Sequence, residues 1–158
     1  MKPIVSARAA LVITDASCLI LLDKIGHLDL LPILFSKVIT TPEIISEYGS
    51  AAPHWMLVIT VFNKKLQSQF ADIVDAGEAS ALALAQEITN DYVIIDDMQA
   101  RKLAAKLGLN IIGTLGILLK AKQAGLIAVL KPVLEKVEKT NFRTTKALIE
   151  SILRYAGE

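Results

Sequence analysis

Short, uniformly apolar runs punctuate this chain, and each gives way to a polar or turn-forming residue before a stretch of helical period begins. Leu11-Val12-Ile13-Thr14 reads as a buried strand stopped by Asp15-Ala16-Ser17, after which Leu19 to Leu22 continues helically toward Gly26. Leu28 to Phe35 reads as a second short helix with Pro32 near its start, and Val38-Ile39-Thr40 as a second strand. Thr41-Pro42-Glu43 has the form of a helix start, with proline in the first turn; that helix runs to Tyr48 and ends at Gly49. Met56 to Val61 has strand character, whereas Asn63 to Gln69 is polar and Asn63 to Asp75 is the most loop-like internal segment. Asp75-Ala76-Gly77-Glu78 opens a strongly helical run from Ala79 to Ile88. Tyr92-Val93-Ile94-Ile95 is the clearest strand, bounded by Asn90-Asp91 and Asp96-Asp97. A helix from Met98 to Leu107 ends at Gly108, Asn110-Ile111-Ile112 forms a short strand, and Gly113-Thr114 leads a helix to Ala124. Two further helices lie between Leu126 and Tyr155, broken near Lys139 to Arg143.

Strands alternating with helices predict a parallel sheet covered on both faces, a three-layer α/β/α sandwich. The length, 158 residues, predicts a single domain over 1–158 and suffices to bury a core without staples. Composition is 53% apolar but only 5% aromatic, with Trp55 the sole tryptophan, so an aromatic platform for stacking successive bases is not expected. Cys18 is the only cysteine. It excludes an intrachain disulfide and a cysteine-based zinc site, and a free thiol suits a reducing, cytoplasmic setting. Met1 to Ala10 holds Lys2 and Arg8 without a continuous apolar stretch and makes a poor signal peptide. Leu11 to Phe35 is interrupted by Asp15, Asp23, Lys24 and Asp29, so it is not expected to cross a bilayer, and no membrane partner is expected.

Net charge is +1, but residues 1–100 hold 6 Lys/Arg against 12 Asp/Glu, while residues 101–158 hold 11 against 4. That asymmetry suggests an acidic site on one part and a phosphate-tolerant or partner-facing surface on another, or simply two solvated helix faces of unlike charge.

Sites in open α/β sheets form beyond the carboxyl ends of the strands. Asp15 and Ser17 follow the first expected strand, Pro42 and Glu47 the second, Asp96 and Asp97 the strand at Tyr92–Ile95, and Gly113 and Thr114 the last; Glu78 lies in the first turn of another helix. Carboxylates brought together repel unless protonated or bridged by a cation. A hard ion such as Mg²⁺ or Mn²⁺ prefers oxygen ligands, orients a phosphate, activates water and stabilises a leaving oxygen, which is the chemistry of phosphodiester hydrolysis. Each residue also has a plainer role. Asp15 or Ser17 caps a helix, Glu78 favours the positive end of a helix, Glu47 faces solvent, Thr114 caps the next helix, and Arg101 is a partly exposed helix residue. His27 and His54 lack partners at metal-binding spacing and read as surface or loop residues. Gly113 to Gly116 spells Gly-x-x-Gly without other signs of a KH domain, and no phosphate-cradling glycine-rich loop is present.

The ordered set of motifs resembles the PIN-domain family, close to its VapC-like subgroup. Val12-Ile13-Thr14-Asp15-Ala16-Ser17 is similar to the family's opening strand with Asp-x-Ser/Thr, and Lys24 to Leu31 to the segment after it. Pro42 to Glu47 is similar to the motif supplying a helical glutamate, Gly77-Glu78-Ala79-Ser80-Ala81 to the Gly-Glu-Ala helix start, and Ile95-Asp96-Asp97 with Ala100-Arg101 to the late acidic motif. Gly113-Thr114-Leu115-Gly116, Phe142-Arg143 and the ending Leu153 to Glu158 complete the resemblance, which spans the chain from Leu11 onward. Cys18 departs from the proline that many relatives carry there.

The resemblance implies a PIN-like, Rossmann-like fold and a Mg²⁺- or Mn²⁺-dependent endoribonuclease, the toxin of a toxin–antitoxin pair. It implies Asp15, Glu47, Glu78 and Asp96 as the acidic machinery, with Asp15, Glu78, Asp96 and Asp97 as metal ligands. Asp96 is favoured over Asp97, itself a second ligand or a helix cap. Ser17, Thr114 and Arg101 are supporting residues, Arg101 contacting a phosphate or holding Asp97. The implied partners are RNA, an antitoxin protein and a second copy of the chain as a homodimer. Two alternatives remain: a catalytically weak module that uses the same fold to hold RNA or a partner, and a phosphohydrolase of small esters, ranked low because Ser occupies position 17 of a would-be Asp-x-Asp.

Overall fold

Five short parallel strands form the centre of the structure, a computed structural model that describes residues 10–158. They are β1 (Leu11–Thr14), β2 (Lys37–Thr40), β3 (Met56–Val58), β4 (Tyr92–Ile94) and β5 (Ile111–Ile112). Their order across the sheet is β3-β2-β1-β4-β5, all pairs parallel. The strands are rich in β-branched residues, and in β1 and β4 Val12, Ile13, Thr14, Val93 and Ile94 on both faces are buried, as expected of a sheet covered on both sides. The α/β architecture with a parallel sheet follows the expectation. The reading of Met1 to Ala10 as a poor signal peptide lies, Ala10 apart, outside the described residues.

Nine helices occur among the described residues: α1 (Ala16–Lys24), α2 (Leu30–Leu34), α3 (Pro42–Tyr48), α4 (Lys64–Ala71), α5 (Ala76–Glu87), α6 (Met98–Lys106), α7 (Thr114–Gln123), α8 (Lys131–Glu138) and α9 (Lys146–Tyr155). None is long and apolar enough to cross a membrane. Helix α5 is the innermost: Ala79, Ala81, Leu82, Ala83 and Leu84 are fully buried, and it packs on β1 and β4 as well as on α3, α4 and α6. Its alanines present little side chain, so the helix lies close to its neighbours on nearly every side.

Three expected elements differ in the structure. Asn63 to Asp75, expected to be loop-like, contains α4, capped by the Asn63 side chain accepting from Leu66 N at 3.0 Å. Within α4 only Leu66 and Phe70, one turn apart, face the core, a stripe too short to register as helical period. The strand expected over Met56 to Val61 stops at Val58, because β3 is an edge strand with a single neighbour, β2. Helix α2 covers only Leu30–Leu34 of the span expected from Leu28; Leu30 N and Leu31 N are taken instead by the turn carbonyls of His27 and Leu28.

Two features position the site. The chain runs outward from β1 through β2 to β3, then returns to place β4 on the other side of β1, so the order reverses between β1 and β4. The second is a clasp at α9. The Glu158 carboxylate accepts from Leu130 N at 2.6 Å and Lys131 N at 3.0 Å and pairs with Lys122 Nζ at 3.3 Å, fixing the end of α9 to the start of α8 and the end of α7.

Candidate active site

Asp15 follows β1 and Asp96 lies just beyond β4, so the reversal of strand order sets them side by side. Asp15 N donates to the carbonyl of Ile94 at 3.2 Å, and Asp96 N donates to Asp15 Oδ2 at 3.3 Å. The other oxygen of Asp15 accepts from Cys18 N at 2.9 Å, capping α1, and the side chain is 2% exposed. Burial pushes the Asp15 carboxyl well above its ordinary range, the Asp96 charge adds to the rise, Cys18 N–H and Asp96 N–H oppose it, and Glu78 adds a smaller push upward. Asp96 is held by Thr114, whose N donates to Oδ1 at 2.8 Å and whose hydroxyl donates to Oδ2 at 2.5 Å. Burial raises the Asp96 carboxyl, while the two Thr114 bonds and the Arg101 charge lower it. Gly113 lets Arg101 come near: a Cβ there would sit 3.1 Å from Arg101 Nη1 and 3.1 Å from Asp96 Oδ1. Arg101 thus bears on Asp96.

Glu78 begins α5 in a capping box. Asp75 Oδ1 accepts from Glu78 N at 2.9 Å, and Glu78 Oε2 accepts from Asp75 N at 3.4 Å. Its carboxyl is pushed up to about 7, first by burial and then by the charges of Asp75 and Asp97. Asp97 caps α6, accepting from Ala100 N at 3.0 Å. Glu47 stands near the end of α3, and Gly77 makes room for it: a Cβ on Gly77 would lie 2.5 Å from Glu47 Oε2. Burial and the Asp75 charge raise the Glu47 carboxyl. The α3–α5 contact is pinned by a buried hydroxyl pair, Thr41 Oγ1 and Ser80 Oγ at 2.6 Å.

The expected residues therefore separate into two groups. Ser17, Glu78, Asp96, Asp97 and Arg101 line one cleft of about 1090 Å³, with Asp15 and Thr114 buried beside them. Glu47 is exposed and lies beyond Glu78, against the first turn of α5, without lining the cleft. The helix-cap roles weighed for Asp15, Glu78 and Asp97 are all present, and they do not remove the crowding of charge. Asp75 belongs to the acidic group as well; its signal in the sequence was the Asp-x-x-Glu pattern that opens α5. Cys18 is buried beside Asp15, and its thiol is pushed well up by burial and by Asp15 and Asp96. His27, half-buried between α1 and α2, and His54, exposed before β3, are not among the residues lining the cleft.

The donors at the cleft mouth are carboxylate and hydroxyl oxygens, the chemistry of a hard divalent cation. Among the described residues no three His, Cys, Asp or Glu side chains converge closely enough to enclose an ion by themselves. An ion that keeps several waters and takes one or two carboxylates suits that spacing, and Asp15, Asp96, Glu78 and Asp97 are the residues that would hold it. Neither a curated protein nor a solved structure matches the chain. A family model described as PIN domain matches residues 11–158.

Proposed function

The chain belongs to the PIN-domain family, whose members are generally nucleases and typically use divalent metals, and on that footing we propose that it is a metal-dependent endoribonuclease hydrolysing RNA phosphodiester bonds. The observation that supports this reading most is Asp15. A buried carboxylate beside Asp96, with Glu78 and Asp97 nearby and Arg101 bearing on Asp96, is costly unless a cation joins it. In this reading Asp15 and Asp96 hold Mg²⁺ or Mn²⁺ with Glu78 and Asp97, and the ion, when bound, supplies Lewis-acid polarisation of the phosphate and a water of lowered pKa. Thr114 fixes both oxygens of Asp96, so that carboxylate cannot rotate away from the ion. Glu47 acts from behind, its charge raising the Glu78 carboxyl and so making it a stronger proton acceptor. Arg101, at the edge of the cleft, meets the phosphate once Asp96 is engaged by the cation. Ser17, exposed at the start of α1, holds a water or a phosphate oxygen.

A role as the toxin of a toxin–antitoxin pair, in the cytoplasm and as a homodimer, belongs to the same proposal. The alternative, a catalytically weak module on the same fold, draws on the wide spacing of the carboxylates and the Arg101 charge already beside Asp96.

The test is cleavage of an end-labelled, mixed-sequence RNA with Mn²⁺, with Mg²⁺ and with EDTA, wild type beside Asp15→Asn. Metal-dependent fragments that vanish in the variant are expected. Fragments unchanged in Asp15→Asn would sink the site; RNA binding that persists in EDTA without cleavage under any metal would favour the binding module.

A further inference from the structure

The cleft does not end at the carboxylates. It continues between the start of α7 and the turn that joins α8 to α9, where Ile20, Ile112, Leu148 and Ile152 give it an apolar lining and Phe142 and Arg143 stand in the wall. The acidic mouth has no use for this half, and the nuclease reading leaves the Phe142-Arg143 pair without a role. The turn is built and held. Thr140 Oγ1 donates to the carbonyl of Val137 at 2.6 Å and accepts from Phe142 N at 3.2 Å, and Lys24 Nζ donates to Asn141 Oδ1 at 3.1 Å. Thr145 then caps α9, accepting from Leu148 N at 3.1 Å. Within this held turn, Thr144 Oγ1 is buried without a hydrogen-bond partner, and Arg143 makes no ion pair among the described residues.

We propose that this second half is a nucleotide subsite: the base flanking the scissile phosphate lies against the apolar wall formed by Phe142, Ile112 and Leu148, and Arg143 with Lys24 meets the adjoining phosphates. The inference rests on the nuclease reading and extends it to the residues that grip the substrate. Charge argues for a nucleotide over a protein segment. A polyanion entering an acidic mouth needs cations along its path, and those lining the cleft are Lys24, Arg101 and Arg143, disposed at both of its ends. An apolar wall next to cations matches a strand whose bases have π-faces and whose backbone is charged.

The experiment measures anisotropy of a labelled single-stranded RNA in EDTA, where nothing is cut, and cleavage of the same RNA with Mn²⁺. It compares wild type, Phe142→Ala, Phe142→Leu, Arg143→Gln and Asp15→Asn, with thermal melts to confirm folding. Phe142→Ala is expected to weaken binding about 10-fold, in line with the loss of one base–aromatic contact. Phe142→Leu is expected to recover part of it, and an RNA abasic at the flanking position to bind Phe142→Ala and wild type alike. Arg143→Gln is expected to reduce the salt slope of binding by about one ion. Metal-dependent cleavage that is lost in Asp15→Asn but kept, with unchanged binding, in folded Phe142→Ala and Arg143→Gln leaves the nuclease standing and overturns the subsite. A wild type that neither cleaves nor binds RNA overturns both, and a partner protein that binds wild type but not Arg143→Gln, with RNA binding untouched, overturns the nucleotide as occupant.

Discussion

Replacing Glu78 with Gln separates the cost of the acidic cluster from its use. Gln keeps the capping box that opens α5, since either side chain satisfies the Asp75 N–H, but it carries no charge. In the wild type the Glu78 carboxyl titrates at about 7, against an ordinary value of 4.5. A carboxyl raised on folding contributes its full share of stability below pH 4.5, and that share is lost as pH climbs through about 7. At about 1.4 kcal/mol per tenfold the whole difference would be about 3 kcal/mol; half the group faces water, and screening brings the figure to about 1 kcal/mol. In EDTA, Glu78→Gln should therefore melt about 2–4 °C above wild type at pH 8 and level with it at pH 4. Mn²⁺ should reverse the order at pH 8. At a free concentration a hundredfold over its dissociation constant the ion stabilises wild type by about 2.7 kcal/mol, and the variant by less because a ligand has lost its charge. Thermal melts across pH 4 to 8, with and without metal, read all four corners. A Gln variant no more stable than wild type at pH 8 in chelator, or a gap unchanged at pH 4, would refute the claim that uncompensated charge is stored at this site.

Thr114→Val removes the hydroxyl that holds Asp96 Oδ2 while keeping the shape of the side chain. It should cost about 1–3 kcal/mol of stability, measured by urea unfolding, and weaken metal binding further, measured by calorimetry; metal affinity equal to wild type would show that Asp96 needs no such hold. Phe70→Ala strips α4 of its main buried anchor and should cost about 3–5 kcal/mol, with amides of Lys64–Ala71 losing hydrogen-exchange protection before those of α5; uniform loss across both helices would mean they unfold as one unit.

Most of the strand and helix order was legible because two local signals coincide along the chain: β-branched runs and the residues that end them. Asp15, Thr41, Asp75 and Asp97 each accept from the backbone of a following helix, so the residues that marked helix starts in the sequence are the caps of α1, α3, α5 and α6. The same fact explains why the candidate site could be seen only as a set. A cap and a ligand call for the same side chain at the same place, and only the neighbour across the sheet tells them apart. The pairing of β1 with β4 is such a neighbour relation, and no local pattern encodes it. Helix α4 escaped notice for the opposite reason: with Leu66 and Phe70 alone turned inward, its period is shorter than any window that would detect it. The bearing of Arg101 on Asp96 was equally invisible, because it depends on the missing Cβ of Gly113, seventeen residues further along the chain than Asp96.

The junction of β1 and β4 also sets a timetable. Asp15 and Asp96 are 81 residues apart in the chain, yet each completes the other's hydrogen bonding. A ribosome working at about 5–20 residues per second makes the second carboxylate about 4–16 s after the first. A nascent chain halted before β4 holds only half of the acidic pair, and one halted before residue 140 lacks the turn that walls the far side of the cleft. Under the proposed nuclease function, cutting by a nascent chain waits until β4 and the turn around residues 139–145 have been made, because Asp15 alone carries only part of the acidic centre.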